Sequence, residues 1–138
     1  MSAPGDDESK SAAAGGTCTC LGADATAASE FLRKARQVEE LVDESHLGVS
    51  LIQCAGCRQI FLRIFTELID WSAGDDSQAW VSVPIDAREA EQLRANRDWA
   101  AFVGAVPADR RFLARVLPRG GGGGSSWGIG GVPIFPHD

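Results

Sequence analysis

All four cysteines of the chain stand in two close pairs, Cys18-Thr19-Cys20 and Cys54-Ala55-Gly56-Cys57. Thiols this close on short turns constrain a fold strongly, because a tetrahedral cation such as Zn2+ needs four soft ligands delivered by brief turns. Two such turns, brought together, supply the set without any other residue. The candidate ligands are therefore Cys18, Cys20, Cys54 and Cys57, and the implied cofactor is Zn2+. The fold must carry the chain through residues 21 to 53 and back to its starting point.

Length and charge bound the rest. The 138 residues suit one domain, and 13 basic against 19 acidic residues give a net charge of −6. A chain of that sign gains nothing from counterion release on nucleic acid or from an anionic bilayer, so protein or small-molecule partners are expected and nucleic acid and membrane are not. The N-terminal stretch Met1 to Lys10 is acidic and polar where a secretory signal has a positive region followed by an apolar one, and no apolar run approaches a membrane span. Close cysteine pairs in a reducing compartment hold metal or do redox work, which makes a cytoplasmic location the expectation.

Composition divides the chain into three parts. Residues 1–16, small and polar, are expected to be a disordered leader; residues 17–119 the ordered domain; residues 120–138 a glycine-rich tether and apolar tail. Within the domain, Asp24 or Thr26 can cap a helix whose apolar positions Phe31, Leu32, Ala35, Val38, Leu41 and Val42 fall on one face. Its last turn would carry Glu39, Glu40, Asp43 and Glu44, which oppose the helix dipole and would fray it unless a basic partner covers them. Gly48 then breaks the pattern, and Val49 to Gln53 reads as a strand leading into Cys54.

The next segment fits two periods. As a strand, Arg58 to Trp71 puts Ile60, Leu62, Ile64, Thr66 and Leu68 on one face; as a helix, it has a polar stripe of Arg63, Thr66, Glu67 and Asp70. Its Ile and Phe content favours strand. Ser72 to Gln78 is a turn, and Ala79 to Val83 a short strand stopped by Pro84. Asp86 and Glu89 stand at capping-box spacing and predict a helix through about Asn96. A third short helix is expected from Asp98 to Val103, and a last strand from Arg111 to Leu117. Gly120 to Gly124 predict a flexible tether, followed by the apolar stretch Trp127 to Pro136. The expected fold class is α+β, with a small antiparallel sheet, two or three helices and disordered termini.

The segment Leu51-Ile-Gln-Cys-Ala-Gly-Cys-Arg-Gln-Ile-Phe61 resembles the knuckle of a zinc ribbon, where a strand, a C-x-x-C turn with Gly and a second strand form one hairpin. Gly56 lets backbone amides point at the sulfurs and stabilise thiolate. That family usually has Gly after the second cysteine, and here Arg58 takes the place. The resemblance implies a zinc-ribbon-like sheet around a structural four-cysteine Zn2+ site. The helix period of residues 58 to 70 would give strand, C-x-x-C, helix, the order of thioredoxin-like proteins, in which Cys54 would attack and Cys57 resolve; Cys18 and Cys20 would then have no role. Iron takes the same ligand set but normally uses two C-x-x-C turns. His46 and His137 are isolated, each on a connection or a tail.

Among other residues, Glu67, Asp70, Asp75 and Asp76 lie near Trp71 and Trp80 in sequence without a complementary base, which describes a solvated acidic loop or a face for a basic partner. Trp99 and Phe102 make a helix packing face. Trp127 lies beyond the glycines, so the tail either docks on its own domain or is captured by another protein. The candidate partner-binding residues are Asp75, Asp76, Trp127 and Phe135. Arg110, Arg111, Arg115 and Arg119 read as a solvated strand edge. The sequence thus predicts a non-catalytic structural-zinc protein that binds another protein, as an accessory subunit, immunity or regulatory factor. A thioredoxin-like oxidoreductase and a zinc-ribbon nucleic-acid-binding module are the alternatives.

Overall fold

In the computed structural model, which describes residues 17–69, 76–118 and 122–137, six strands form one wholly antiparallel sheet. Each strand pairs with the next in sequence: β1 (Arg36–Glu44), β2 (Leu47–Gln53), β3 (Ile60–Leu68), β4 (Ser77–Ile85), β5 (Phe112–Leu117) and β6 (Gly124–Gly128). Helix α1 (Ala25–Leu32) precedes the sheet, while α2 (Ala87–Asn96) and α3 (Trp99–Ala105) fill the connection from β4 to β5. The fold is α+β, as the sequence predicts.

The two sheet faces have different coverings. On one, Val49, Leu51, Leu62, Ile64, Val81 and Val83 are buried against Ala90 and Leu93 of α2 and Val103 of α3. Full burial of each large aliphatic side chain contributes roughly 1.5–3 kcal/mol, so this face is the main source of hydrophobic stabilisation. On the other, Ile52, Phe61 and Leu113 pack with Ala28 and Leu32 of α1 and with Cys20 and Cys54. Residues 60–68 are a strand because their alternation feeds both cores, Leu62 and Ile64 to the first and Phe61 to the second.

One sequence prediction holds in detail, the capping box that starts α2. Asp86 caps α2 by accepting from the Glu89 amide at 2.7 Å, and the Glu89 carboxylate accepts from the Asp86 amide at 3.0 Å, completing the capping box. The same carboxylate takes a two-pronged ion pair from Arg110, whose guanidinium also donates to the Pro84 carbonyl at 3.2 Å. Pro84 lies inside β4, one correction to the expected stop. Its carbonyl points to the side where β5 would continue, and β5 has ended at the Ser82–Leu113 pair, so no ladder partner misses the absent N–H.

The long first helix is the larger correction. α1 ends at Leu32, and Arg36 to Glu44, including Val38, Leu41 and Val42, form edge strand β1. The reason lies in two register shifts, between Gln37 and Glu39 and between Glu40 and Val42. Each bulge adds one residue against a single partner on β2, so Val38, Leu41 and Val42 all pack against the first core. An apolar spacing of three and four residues, which reads as a helix period, is produced here by a twice-bulged strand. Glu39, expected to fray a helix end, instead meets Arg97 at 3.0 Å. The bulges and acidic side chains also blunt this sheet edge against further pairing.

The glycine run is corrected as well. Gly120 and Gly121 lie outside the described residues, but Gly122 to Gly124 close a hairpin, and Gly124 opens β6, opposite Val116. Gly122 has φ 79°, which glycine adopts freely. A Cβ on Gly123 would overlap the Val116 carbonyl oxygen. β5 is consequently an inner strand, and the arginines in and beside it have contacts: Arg111, just before β5, with Leu21 and Trp127, and Arg115 with Trp80. Gly123→Ala is expected to open this hairpin and destabilise the fold by more than about 2 kcal/mol in urea unfolding, while Gly124→Ala, where a Cβ meets open space, stays within about 1 kcal/mol of the parent.

Candidate metal centre

The two cysteine turns meet under α1. Cys18 caps a 3-10 turn (Thr19–Leu21) that places Cys20 inward, with the Leu21 amide donating to the Cys18 carbonyl at 2.9 Å. Cys54 follows β2 and Cys57 lies in the turn to β3, which is closed by the Cys54 amide donating to Gln59 at 2.9 Å and the Arg58 amide donating to Cys54 at 3.1 Å. The four sulfurs all lie within 4.8 Å of one another. Cys18 Sγ is 3.8 Å from Cys54 Sγ and Cys20 Sγ is 3.5 Å from Cys57 Sγ. A tetrahedron with metal–sulfur bonds of about 2.3 Å has sulfur–sulfur edges of about 3.8 Å, so these spacings suit a four-thiolate cation site. All four thiols are free.

Remote residues hold the first turn in place. The Asp24 side chain accepts from the Ala27 amide at 3.1 Å and starts α1, whose Ala28 and Leu32 pack on the sheet beside the cysteines. From β6, the Trp127 indole N–H donates to the Gly22 carbonyl at 2.7 Å; Arg111, just before β5, donates to the Leu21 carbonyl at 2.7 Å and lies 3.9 Å over the Trp127 ring. Residues 21–53, which separate the cysteine pairs, are accommodated by α1 followed by the β1–β2 hairpin.

The second turn is built by close approach. The Gly56 amide donates to Cys54 Sγ at 3.4 Å, and a Cβ at Gly56 would come 3.1 Å from the Phe31 ring and 3.3 Å from Cys18 Sγ. Arg58 has φ 68°, the left-handed conformation that glycine supplies in the zinc-ribbon knuckle. The turn geometry is kept, at a steric cost of about 1–2 kcal/mol for an L residue.

Packed together without a cation, the thiols resist ionising. Burial pushes the Cys20 thiol far up, reinforced by its hydrogen bonds to Cys54 and Cys57 and their negative charge. Burial likewise raises Cys57, against a lowering hydrogen bond from the Gln59 backbone. At Cys18 burial opposes the thiolate, but hydrogen bonds from the Cys20 backbone and from the other three thiols outweigh it and lower the pKa. A divalent cation relieves the cost of ionising Cys20 and Cys57.

Other candidate residues lie elsewhere. His46 faces Glu67, Nδ1 to Oε1 3.3 Å, and Glu67 also accepts from Gln78 at 2.9 Å, so neither joins the thiols. His137 Nδ1 is 3.2 Å from the Phe135 carbonyl. Asp75, Asp70, Trp71 and Arg119 lie outside the described residues, and Asp76 is partly buried at the start of β4. Trp127 is half-buried beside α1, whereas Phe135 packs against the opposite core. The contribution of Arg111 and Trp127 to the site has no local signal in the sequence; only strand pairing brings them there. No helix among the described residues is long and apolar enough to cross a membrane.

No protein-family model, curated protein or solved structure matches this chain. The cysteine geometry therefore stands on its own as the definition of the site.

Two outcomes are expected. Arg58→Gly relieves the left-handed strain, partly offset by the entropy of a more flexible unfolded chain, and raises stability by about 0.5–1 kcal/mol, whereas Arg58→Val lowers it. The check is thermal unfolding of both variants beside the parent. Because Cys20 and Cys57 are held protonated at neutral pH, loading a divalent cation must expel their protons. Calorimetric titration in buffers of different ionisation enthalpy should detect proton release, with apparent affinity rising with pH.

Proposed function

We propose that this chain is a non-catalytic protein whose Cys18, Cys20, Cys54 and Cys57 hold Zn2+ as a structural crosslink, and that its surface serves to bind another protein. The observation that carries the first half is the approach of all four sulfurs to within 4.8 Å of one another, from two turns at opposite ends of residues 18–57. Zinc, when bound, supplies a redox-inert fourfold junction; iron would fit the same sulfurs, but the Cys18–Cys20 turn departs from the two C-x-x-C turns it normally takes. The hairpin Leu51 to Phe61 supports a zinc-ribbon-like knuckle, extended on both sides into a broader sheet.

Two observations weigh against an oxidoreductase. Cys54 and Cys57 are followed by strand β3, so no helix N-terminus stands there to favour thiolate at Cys54. Cys18 and Cys20 also close over the pair. Against nucleic-acid binding, Arg110 is committed to Glu89, and Arg111 to Leu21 and Trp127.

For a protein partner, the tail offers Ile129, 66% exposed, and Ile134, 43% exposed, beside the docked Trp127 and Phe135. Apolar side chains presented this way suit a protein contact, with the acidic pair Asp75 and Asp76 as a second element. A reducing cytoplasm is consistent with four unpaired thiols.

Purified protein is expected to carry about one equivalent of zinc by elemental analysis. Structural zinc contributes on the order of 10 kcal/mol to the folding of small sites, so Cys54→Ser should lose the metal and unfold the α1 face. A stable, zinc-replete Cys54→Ser protein would falsify the four-thiolate reading. For the partner half, Ile129→Asp with Ile134→Asp should abolish recovery of partners captured by the parent while leaving zinc content intact; undiminished recovery removes the tail as the contact.

A further inference from the structure

Helix α1 covers only part of its sheet face. Beside its end an open cavity of about 340 Å3 is lined by three arginines (Arg33, Arg63 and Arg115), two serines (Ser29 and Ser82) and Trp80. Among the described residues no carboxylate lines it, in a chain whose net charge is −6. Strand register builds the floor: Arg63 lies opposite both Ser50 and Ser82, and Trp80 opposite Arg115.

The groups in this cavity are incompletely paired. Arg63 makes no ion pair or hydrogen bond with any described residue, although burial pulls its pKa below the usual arginine value. A guanidinium stays charged regardless, and that of the half-buried Arg63 opens on the cavity without a protein acceptor among the described residues. Ser29 Oγ is buried and has no hydrogen-bond partner among the described residues. Arg115 lies 4.7 Å over the Trp80 ring, which orients the guanidinium but leaves it without a carboxylate. Arg33 is tied to Glu30 at 3.4 Å on the outer rim. Unsatisfied donors gathered in a hollow are costly to folding, and such a cost persists where a ligand removes it.

We infer that this cavity is a binding site for a small organic oxyanion, a carboxylate or phosphate carried on a flat ring. Arg63 and Arg115 bind the oxyanion, Ser29 and Ser82 supply hydroxyls to it, and the ring lies against Leu32, Leu113 and the exposed part of Trp80. The volume fits one ring with its charged group and excludes much more. Charge also sets the direction of approach. On the other side of Arg63 and Trp80 a second hollow of about 380 Å3 carries Glu40 and Asp43, which repel an anion toward the α1 side.

The test is calorimetric titration of the full-length, metal-loaded protein at low salt with two probes, phenyl phosphate and benzoate. Saturable binding of at least one is expected, and which one binds identifies phosphate or carboxylate as the head group. Arg63→Gln and Arg115→Gln should each weaken that binding at least tenfold with zinc content unchanged. Arg63→Met should in addition raise the unfolding temperature, because it removes a half-buried charge that has no ion-pair partner among the described residues, whereas loss of a merely structural residue lowers it. The inference is overturned if neither probe binds at millimolar concentration, if binding survives both Arg→Gln changes, or if a thymidine oligonucleotide binds while both small anions do not.

Discussion

Four thiols brought to one point are the constraint on which one face of this protein depends. Each of these groups gains charge on losing a proton, and burial, with the charge of neighbouring cysteines, raises the pKa of Cys20 and Cys57. The surrounding chain holds the thiols together by packing and hydrogen bonding. Ala28, Leu32 and Phe31 of α1 press on the second turn, while Arg111 and Trp127 hold the carbonyls of Leu21 and Gly22 from the far edge of the sheet. A divalent cation would convert that opposition into attraction among every element that supplies or holds a sulfur.

The opposite face needs no such junction. Leucine, isoleucine and valine side chains from four strands, with Phe112 and Ala114 of β5, meet α2 and α3 there, and the helices are fixed by short-range devices: the Asp86–Glu89 capping box, the Arg110–Glu89 ion pair and the left-handed Arg97 that ends α2. Hydrophobic area stabilises one face and ligand chemistry is suited to stabilising the other. Between α1 and the acidic edge strand, part of the second face stays uncovered, and there Arg63, Arg115, Trp80 and two serines form the cationic hollow. A sheet covered completely on both sides would have left those side chains no outlet.

Where local pattern failed, it failed for identifiable reasons. Val38, Leu41 and Val42 have helical spacing because two bulges each add a residue to β1, and no single-strand periodicity contains that information. The glycines before Gly124 look like a tether because glycine is the residue that a flexible linker and a hairpin of close backbone approach both require. The distinction is made by β5, whose outer edge is open to pairing. Arg58 stands where the zinc-ribbon resemblance would put glycine, and its own backbone takes the left-handed conformation, φ 68°, that glycine adopts freely.

The sequence by itself determined the two close cysteine pairs, the capping box and its helix and the α+β class, and it favoured strand over helix for residues 60–68, because each depends on residues close together in the chain. Tertiary structure alone decided that the Cys18–Cys20 turn reaches Cys54 and Cys57, that Trp127 returns to cover it, and that Arg63 is left without a partner. Those depend on strand register across β2 to β6, where residues more than 100 positions apart, such as Gly22 and Trp127, come within one hydrogen bond. Spacing along a chain specifies which thiols are available as ligands, and only the paired sheet specifies where they meet.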